Sequence, residues 1–410
     1  MLVFSWGGGL SLVQAEEVHL VDHVDIIVID SQLSLAGLVN ETIEKYPDYA
    51  LINAMKQEAD TLKTRGNRWL AGAATASVYY RDDFIGGDTG AYELEGSVNV
   101  PIWNWGQRDA GQRLAEQSGL RVDKQDKAIR LKVAGLVRES LWILKLDTFR
   151  HKMAKKSFHL TEKLLKTVQL RVSVGDLPRS DFLLAESELL QKKIQLIQAE
   201  AELMHARKRF FFLTQGSRMP AKIEELQSEL NEINESHPAL AANNALVAKQ
   251  KANVEWIKAK GSGQTRLGIG GNTDKPSRTE ESIDSITFSI SMPFGGQRYA
   301  APEIAKAQRE YIAAETEKRH VYRYLLEQIH EAEHELEIER VQVKITAQMK
   351  ANAEEHLKMA DLSFVEGEID LMNFIKIQAR SQKAIKSAKE SEIRLQRDIA
   401  LYNQAVGVTP

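Results

Sequence analysis

His330-Glu331-Ala332-Glu333-His334 spells H-E-x-x-H, the pattern in which two imidazoles one helical turn apart hold zinc while the glutamate between them activates water. The setting does not fit that chemistry. Ala332 falls on the apolar seam of a long charged helix, no pocket-forming sequence flanks it, and the downstream Glu354 and Glu355 are the kind of third ligand that any glutamate-rich helix offers. His330 and His334 are therefore weak metal-contact candidates, with no catalytic role and no cofactor assigned. His19 and His23 form the other pair at this spacing. With no cysteine there is no thiolate nucleophile, and no G-x-S-x-G, P-loop or dinucleotide fingerprint occurs. Gly268-Ile269-Gly270-Gly271 reads as a glycine-softened strand end. The chain reads as a non-enzyme.

What positions these residues is a duplicated architecture. From Tyr46-Pro47 and again from His237-Pro238 the sequence runs through one order of elements: a medium helix, two short strands, a very long helix, a turn and another long helix. Pro101 and Pro293 lie 192 residues apart, as do the turn glycines Gly175 and Gly367. Ser97-Val-Asn-Val-Pro101 reads like Ser289-Ile-Ser-Met-Pro293, and Gly106-Gln-Arg108 recurs as Gly296-Gln-Arg298. Self-similarity at so long a period points to a repeated structural unit rather than one pocket.

The helices carry a heptad signal. Phe182, Ala185, Leu189, Lys192, Leu196, Ala199, Leu203, Ala206, Phe210 and Leu213 follow one another in alternating steps of three and four, the spacing of a coiled-coil seam. The second copy repeats it through Ile304, Ala307, Tyr311 and Ala314, then Val321, Leu325, Ala332 and Leu336. The long helix from about Gln107 to Leu170 would reach roughly 95 Å, and so needs side-by-side partners along its length.

The strands alternate strictly. Ile286, Phe288, Ile290 and Met292 share one face while Thr287, Ser289 and Ser291 share the other. In the first copy Tyr92, Leu94, Val98, Val100 and Ile102 oppose Glu93, Glu95, Ser97 and Asn99. Strands of about ten residues, apolar outside and polar inside, are the pattern of an outer-membrane barrel. Trp103 and Trp105 at the strand-to-helix junction suit an interfacial aromatic belt. Pro101 and Pro293 mark the points where strand becomes helix, because proline cannot donate to a ladder. Four strands fall short of the roughly eight that close the smallest barrels, so the chain must oligomerise. Three copies would supply twelve strands above a hollow cylinder of helices. The fold class expected is mainly α with a membrane β-barrel portion.

Composition agrees. Only 9 of 410 residues are proline, and a formal net charge of −3 gives no reason to expect nucleic acid. The absence of cysteine excludes disulfides and a lipidated N-terminal cysteine. No apolar run reaches the roughly 20 residues of a transmembrane helix, which leaves β-strands to make any crossing. Residues 1–15 are uncharged and apolar, and Val13-Gln14-Ala15 suits signal-peptidase cleavage, although a positive n-region is missing. Residues 16–30 have no counterpart in the second copy and carry no assignment. The first repeat spans 31–214, with strands at 70–80 and 91–102 and a helical hairpin at 106–213. Residues 215–236 form an equatorial connector. The second repeat spans 237–410, with strands at 265–271 and 284–293 and a hairpin at 297–406.

These features together resemble the TolC-like outer-membrane efflux proteins, over about Leu33 to Val408. Leu33-Ser-Leu-Ala-Gly-Leu-Val39 with Tyr46-Pro47 is similar to that family's N-terminal opening, and the prolines at 101 and 293 to its barrel-to-helix transitions. Arg171-Val-Ser-Val-Gly175-Asp-Leu-Pro-Arg-Ser-Asp181-Phe182 and Leu362-Ser-Phe-Val-Glu-Gly367-Glu-Ile-Asp-Leu-Met-Asn373-Phe374 look like its two periplasmic helix-turn-helix tips. The resemblance implies a homotrimeric channel in the bacterial outer membrane that extends into the periplasm, contacts outer-membrane lipid and is served by a periplasmic adaptor and a proton-driven inner-membrane pump. Glu93, Glu95, Ser97, Asn99, Thr287, Ser289 and Ser291 would line a wet lumen. The tips would gate or dock: Asp176, Asp181, Glu366, Glu368 and Asp370 as acidic rings that favour cations, Arg171 and Arg179 as their partners, and Gly175 and Gly367 as left-handed turn positions. Asp181 also suits a helix N-cap. The competing reading is a soluble or periplasmic coiled-coil scaffold or adaptor without a pore.

Overall fold

A computed structural model describes residues 26–83, 85–87 and 89–410. The cleavage site expected near Ala15, and His19 and His23, lie outside the described residues. Val28–Asp30 forms β1, which pairs in parallel with β4 (Arg218–Pro220). The unassigned segment 16–30 thus contributes a strand that anchors the start of the connector.

Two helices follow, α1 (Leu35–Lys45), begun where the Ser34 hydroxyl accepts from the Gly37 N–H at 3.0 Å, and α2 (Asp48–Asn67). Strands β2 (Thr75–Asp82) and β3 (Tyr92–Pro101) lead into α3 (Gln107–Ser173), a helix of 67 residues or roughly 100 Å. It returns through α4 (Arg179–Thr214). After the connector the order repeats as α5 (Pro238–Lys260), β5 (Arg266–Lys275), β6 (Ile283–Ser291), α6 (Gln297–Val365, 69 residues) and α7 (Leu371–Ala405).

The second strand of each hairpin and the long helices sit close to the expected bounds, whereas the first strands shift. β2 begins at Thr75 rather than 70, because Trp69 to Ala74 offers no β-branched residue and only the Ala71 N–H reaches across, to the Pro101 carbonyl at 3.1 Å. β5 runs four residues past 271, because Asn272 to Lys275 pairs in register with Glu95 to Tyr92 of β3. Its polar composition reads as loop, but cross-strand pairing decides the matter.

Neither α4 nor α7 travels the full distance back, and a shorter helix completes each column. The carbonyl of Thr214 at the end of α4 accepts from Lys45 Nζ at 3.2 Å, just before α2 begins. Past the end of α7, Gly407 (φ +85°) packs on His237, the cap of α5. In the half of the bundle nearer the sheet, α3 packs against α2 and α5, and α5 also against α6. In the other half α3 pairs with α4 and α6 with α7, with α3 and α7 joining the two hairpins.

The largest core gathers Val133, Val137, Leu141, Trp142, Phe210 and Ile43 about the middle of α3. On α4, Ala185, Leu203, Ala206 and Phe210 are buried, the other six seam residues are half-buried, and most residues between them are exposed. Lys192, the one charged member of that seam, lines a cavity of about 800 Å3 between the two hairpins. That space lets an ammonium stay hydrated where packing would otherwise penalise it.

Candidate functional site

The four longer strands form one antiparallel sheet in the order β2-β3-β5-β6. Its register aligns the alternation of every strand. Ala76, Val98, Ile269 and Phe288 lie in one row across the sheet, and Val100, Leu267 and Ile290 in the next. Ser77, Ser97, Gly270 and Thr287 form a row of the opposite face, followed by Asn99, Gly268 and Ser289. The polar face holds itself together: the Ser77 and Ser97 hydroxyls are 2.8 Å apart and Arg81 pairs with Glu93 at 2.9 Å. Glycine is required at 270, where an added Cβ would run into the Gly96 carbonyl at 2.8 Å, whereas at 268 a Cβ would displace the Asn99 and Ser289 side chains. The apolar face is open: Val78 and Phe288 are each 78% exposed, with Ile286 and Ile290 close behind. Among the described residues, both outer strands, β2 and β6, have one edge without a partner.

At the sheet-to-helix junction Pro101 is buried and ends β3, whereas Pro293 is exposed two residues beyond β6. The two tryptophans separate. Trp103 Nε1 donates to the Arg68 carbonyl at 3.1 Å and its ring meets Trp256 edge-on at 6.3 Å, while Trp105 is fully exposed. Asn104 joins the two copies: its Nδ2 donates to the Gly263 carbonyl at 2.8 Å and its Oδ1 accepts from the Thr265 hydroxyl at 3.1 Å.

The two turns at the far end share one backbone design. Gly175 (φ +80°) and Gly367 (φ +79°) take left-handed positions, and the following amides return to equivalent carbonyls, Asp176 to Arg171 at 2.9 Å and Glu368 to Ser363 at 2.8 Å. The side chains close the two turns differently. Arg171 Nε donates to Asp176 Oδ2 at 2.5 Å, and the Ser363 hydroxyl donates to Glu368 Oε2 at 3.0 Å. Asp370 caps α7 by accepting from the Asn373 N–H at 2.6 Å. Asp181 does not cap α4. Pro178 holds that position without a side-chain bond, and Asp181 sits in the first turn, where its charge faces the positive end of the helix dipole. Glu366 and Arg179 are exposed. The tips also touch each other: the Arg171 guanidinium of the first tip lies 5.3 Å from the ring of Phe364 in the second, a ring that stacks on Phe374 of its own tip at 4.6 Å.

Sequence reasoning missed the densest polar cluster. Arg138 on α3 is fully buried; its Nε and Nη2 donate to the two Glu225 oxygens at 2.8 and 2.5 Å, and Nη1 to Gln404 at 2.7 Å and the Val408 carbonyl at 2.9 Å. Nearby, the Ser228 amide donates to Asn403 Oδ1 at 2.8 Å and the Tyr402 hydroxyl to the Leu230 carbonyl at 2.7 Å. The connector has no helix or strand between Ala221 and Ser236, so these side chains hold it. The available signal was an arginine set among Ala134, Val137, Leu141 and Trp142 at core spacing. Beside the cluster, burial pushes the Asp398 carboxyl up, opposed by Arg397 at 2.8 Å. Burial likewise holds the His237 imidazole below the usual histidine range.

His330 and His334 are exposed on α6, with rings nearly parallel (8°) and 6.4 Å apart. Among the described residues, no third His, Cys, Asp or Glu joins them in a metal-holding group. Also among the described residues, no helix is long and apolar enough to cross a membrane.

No family model and no curated protein matches the chain. Solved structures do. The Campylobacter jejuni CmeC outer membrane channel superposes with a TM-score of 0.73 at 13% identity, over 91% of this chain and 85% of that one. The outer membrane protein VceC of Vibrio cholerae gives 0.70 at 14%, over 92% and 97%. The open-state MtrE outer membrane channel of Neisseria gonorrhoeae gives 0.69 at 14%, over 92% and 89%. Agreement over nearly the whole length of each chain shows that this protein has the fold of these outer-membrane channel structures, the architecture implied by its resemblance to the TolC-like efflux proteins.

Proposed function

We infer that the chain is the subunit of a trimeric outer-membrane channel, a passive exit duct for solutes in a tripartite efflux or secretion system. The observation that carries this reading is the sheet: one face exposed and apolar, the other polar, both edges unpaired, set on helices roughly 100 Å long. An exposed apolar face of this extent needs lipid or protein against it, and an unpaired edge needs another strand. In this antiparallel sheet β6 runs opposite to β2, so β6 of one copy can pair antiparallel with β2 of the next. Three copies then close twelve strands with no free edge.

The helices offer matching surfaces. On α4, Leu183, Leu190, Ile194 and Ile197 form an exposed stripe away from the seam, and on α6, Ile338, Val341, Ile345 and Met349 form another. In this reading they meet between neighbouring subunits. The row of Glu93, Glu95, Ser97, Asn99, Thr287, Ser289 and Ser291 lines the water-filled lumen, lipid covers the apolar face, and the tips face a periplasmic adaptor that links the channel to an inner-membrane pump of the proton-driven type. No catalytic step is involved.

Electron microscopy of the full chain extracted with detergent from the outer-membrane fraction tests this. Hollow threefold cylinders over ~100 Å long are expected; thin rods, or protein confined to the soluble fraction, would replace the channel with a coiled-coil scaffold. Replacing Asp176, Glu366, Glu368 and Asp370 with their amides should raise ion conductance or shift cation preference, and an unchanged channel would remove these groups from the gate.

A further inference from the structure

The histidine pair on α6 has a geometry that the channel reading does not use. Side chains at i and i+4 on a helix are neighbours, and His330 and His334 present parallel imidazoles 6.4 Å apart on an exposed face. A transition metal bound 2.0–2.1 Å from one nitrogen of each ring needs those nitrogens at most about 4 Å apart. Rotation of two exposed side chains closes that gap without moving the backbone. Glu331, next along the chain, points elsewhere and accepts from Gln328 at 3.0 Å, so it has no place over a metal held by the two rings. With two protein nitrogens and no third ligand from the described residues, water or a neighbouring molecule completes the shell. That composition is poor for zinc, whose protein sites supply three or four ligands, and good for the tetragonal nitrogen and oxygen sets of copper(II) and nickel(II).

We propose that His330 and His334 form a bidentate site for divalent copper, with nickel next in affinity and zinc weaker than copper. The site uses no residue of the sheet, the tips or the connector, and in the channel reading it borders the α6 stripe that meets the neighbouring subunit. It lies one turn before Ile338 on the same side of α6, opposite the buried Leu325, Ile329 and Leu336, so occupancy is read in the assembled protein.

The test titrates Cu2+ into the full detergent-solubilised chain carrying His19→Ala and His23→Ala, which removes the other i, i+4 pair. Electron spin-echo envelope modulation counts the imidazoles on the metal. One saturable Cu2+ per chain with two imidazoles is expected. Single variants His330→Ala and His334→Ala should each drop to one imidazole with at least about tenfold weaker binding, a loss of about 1.4 kcal/mol, and Glu331→Gln should bind as the parent does. Absence of saturable binding, or binding that survives the His330→Ala/His334→Ala double variant, would overturn the site. A requirement for Glu331 would overturn it in favour of a zincin-like centre.

Discussion

Replacing Arg138 with methionine should release the connector while leaving the rest of the bundle folded. The guanidinium is fully buried and supplies donors to Glu225, Gln404 and the Val408 carbonyl. Methionine fills most of the volume but donates nothing, so a backbone carbonyl loses its partner and a carboxylate that is only 12% exposed loses its charged donor, keeping only a 3.4 Å bond from Asn403 Nδ2. Removing one member of a buried ion pair costs about 3–5 kcal/mol, most of it the uncompensated charge left behind. At 1.36 kcal/mol per decade this is roughly two to nearly four decades in a local opening constant. The readout is hydrogen exchange of the assembled protein at the Ser228 amide, whose bond to Asn403 belongs to the same cluster. Exchange there should accelerate by at least ~100-fold, while amides of α4 near Ala185 stay unchanged. Adding Glu225→Gln to Arg138→Met should recover at least about tenfold, because the stranded charge is gone. Acceleration below about tenfold, or no recovery in the double variant, would refute the argument and leave Ile223, buried in the main core, as what holds the connector.

Other consequences are simpler to test. Asp370→Ala removes the acceptor for the Asn373 amide and should destabilise the second tip by about 1 kcal/mol, with Asp370→Asn close to neutral; equal losses in the two variants, measured by exchange at Asn373, would contradict capping. Burial lowers the pKa of His237, so the unfolded chain binds the extra proton and stability falls as pH drops below ~6.5 toward the folded value. His237→Asn should flatten thermal stability over that window, and an unchanged slope would place the titrating group elsewhere. Asp398 has the opposite sign: burial raises its pKa, the folded chain holds the proton more tightly, and stability falls as pH climbs from ~3.9 through the folded value. Asp398→Asn should therefore stabilise at pH 7 more than at pH 4; a uniform shift would indicate that the Arg397 pairing cancels burial, and a larger loss at pH 7 that it outweighs it.

The mostly helical character and the resemblance to channel proteins were legible because each rests on a periodic signal. Ten seam positions on α4 recur in steps of three and four, and only a packed face keeps that rhythm. Strand alternation was equally readable where both sets of residues are chemically distinct, as from Ile286 to Met292. Reading failed where pairing, not composition, decides structure. Asn272 to Lys275 looks like loop and is strand, because β3 lies beside it. Val28–Asp30 finds its partner 190 positions away at Arg218–Pro220, a distance that no local pattern spans. Asp181 suited a cap by residue type, yet the chain enters α4 through Pro178. Arg138 carried a detectable clue, an arginine among core residues; Glu225, in a stretch of irregular backbone, carried none.

The contact between the two tips implies a bookkeeping of length between the halves of the chain. Arg171 of the first tip reaches Phe364 of the second only because the two descending helices, 67 and 69 residues long, bring their turns to one level. One extra heptad in each arm of the first hairpin alone would carry its turn roughly 10 Å past the other, stranding Val168 and Leu164 from Phe374, whereas the same insertion in both hairpins would preserve every contact. The reach of such a molecule is thus inherited jointly: neither half can lengthen by itself, and lineages that span wider or narrower gaps must change both halves by the same whole number of heptads.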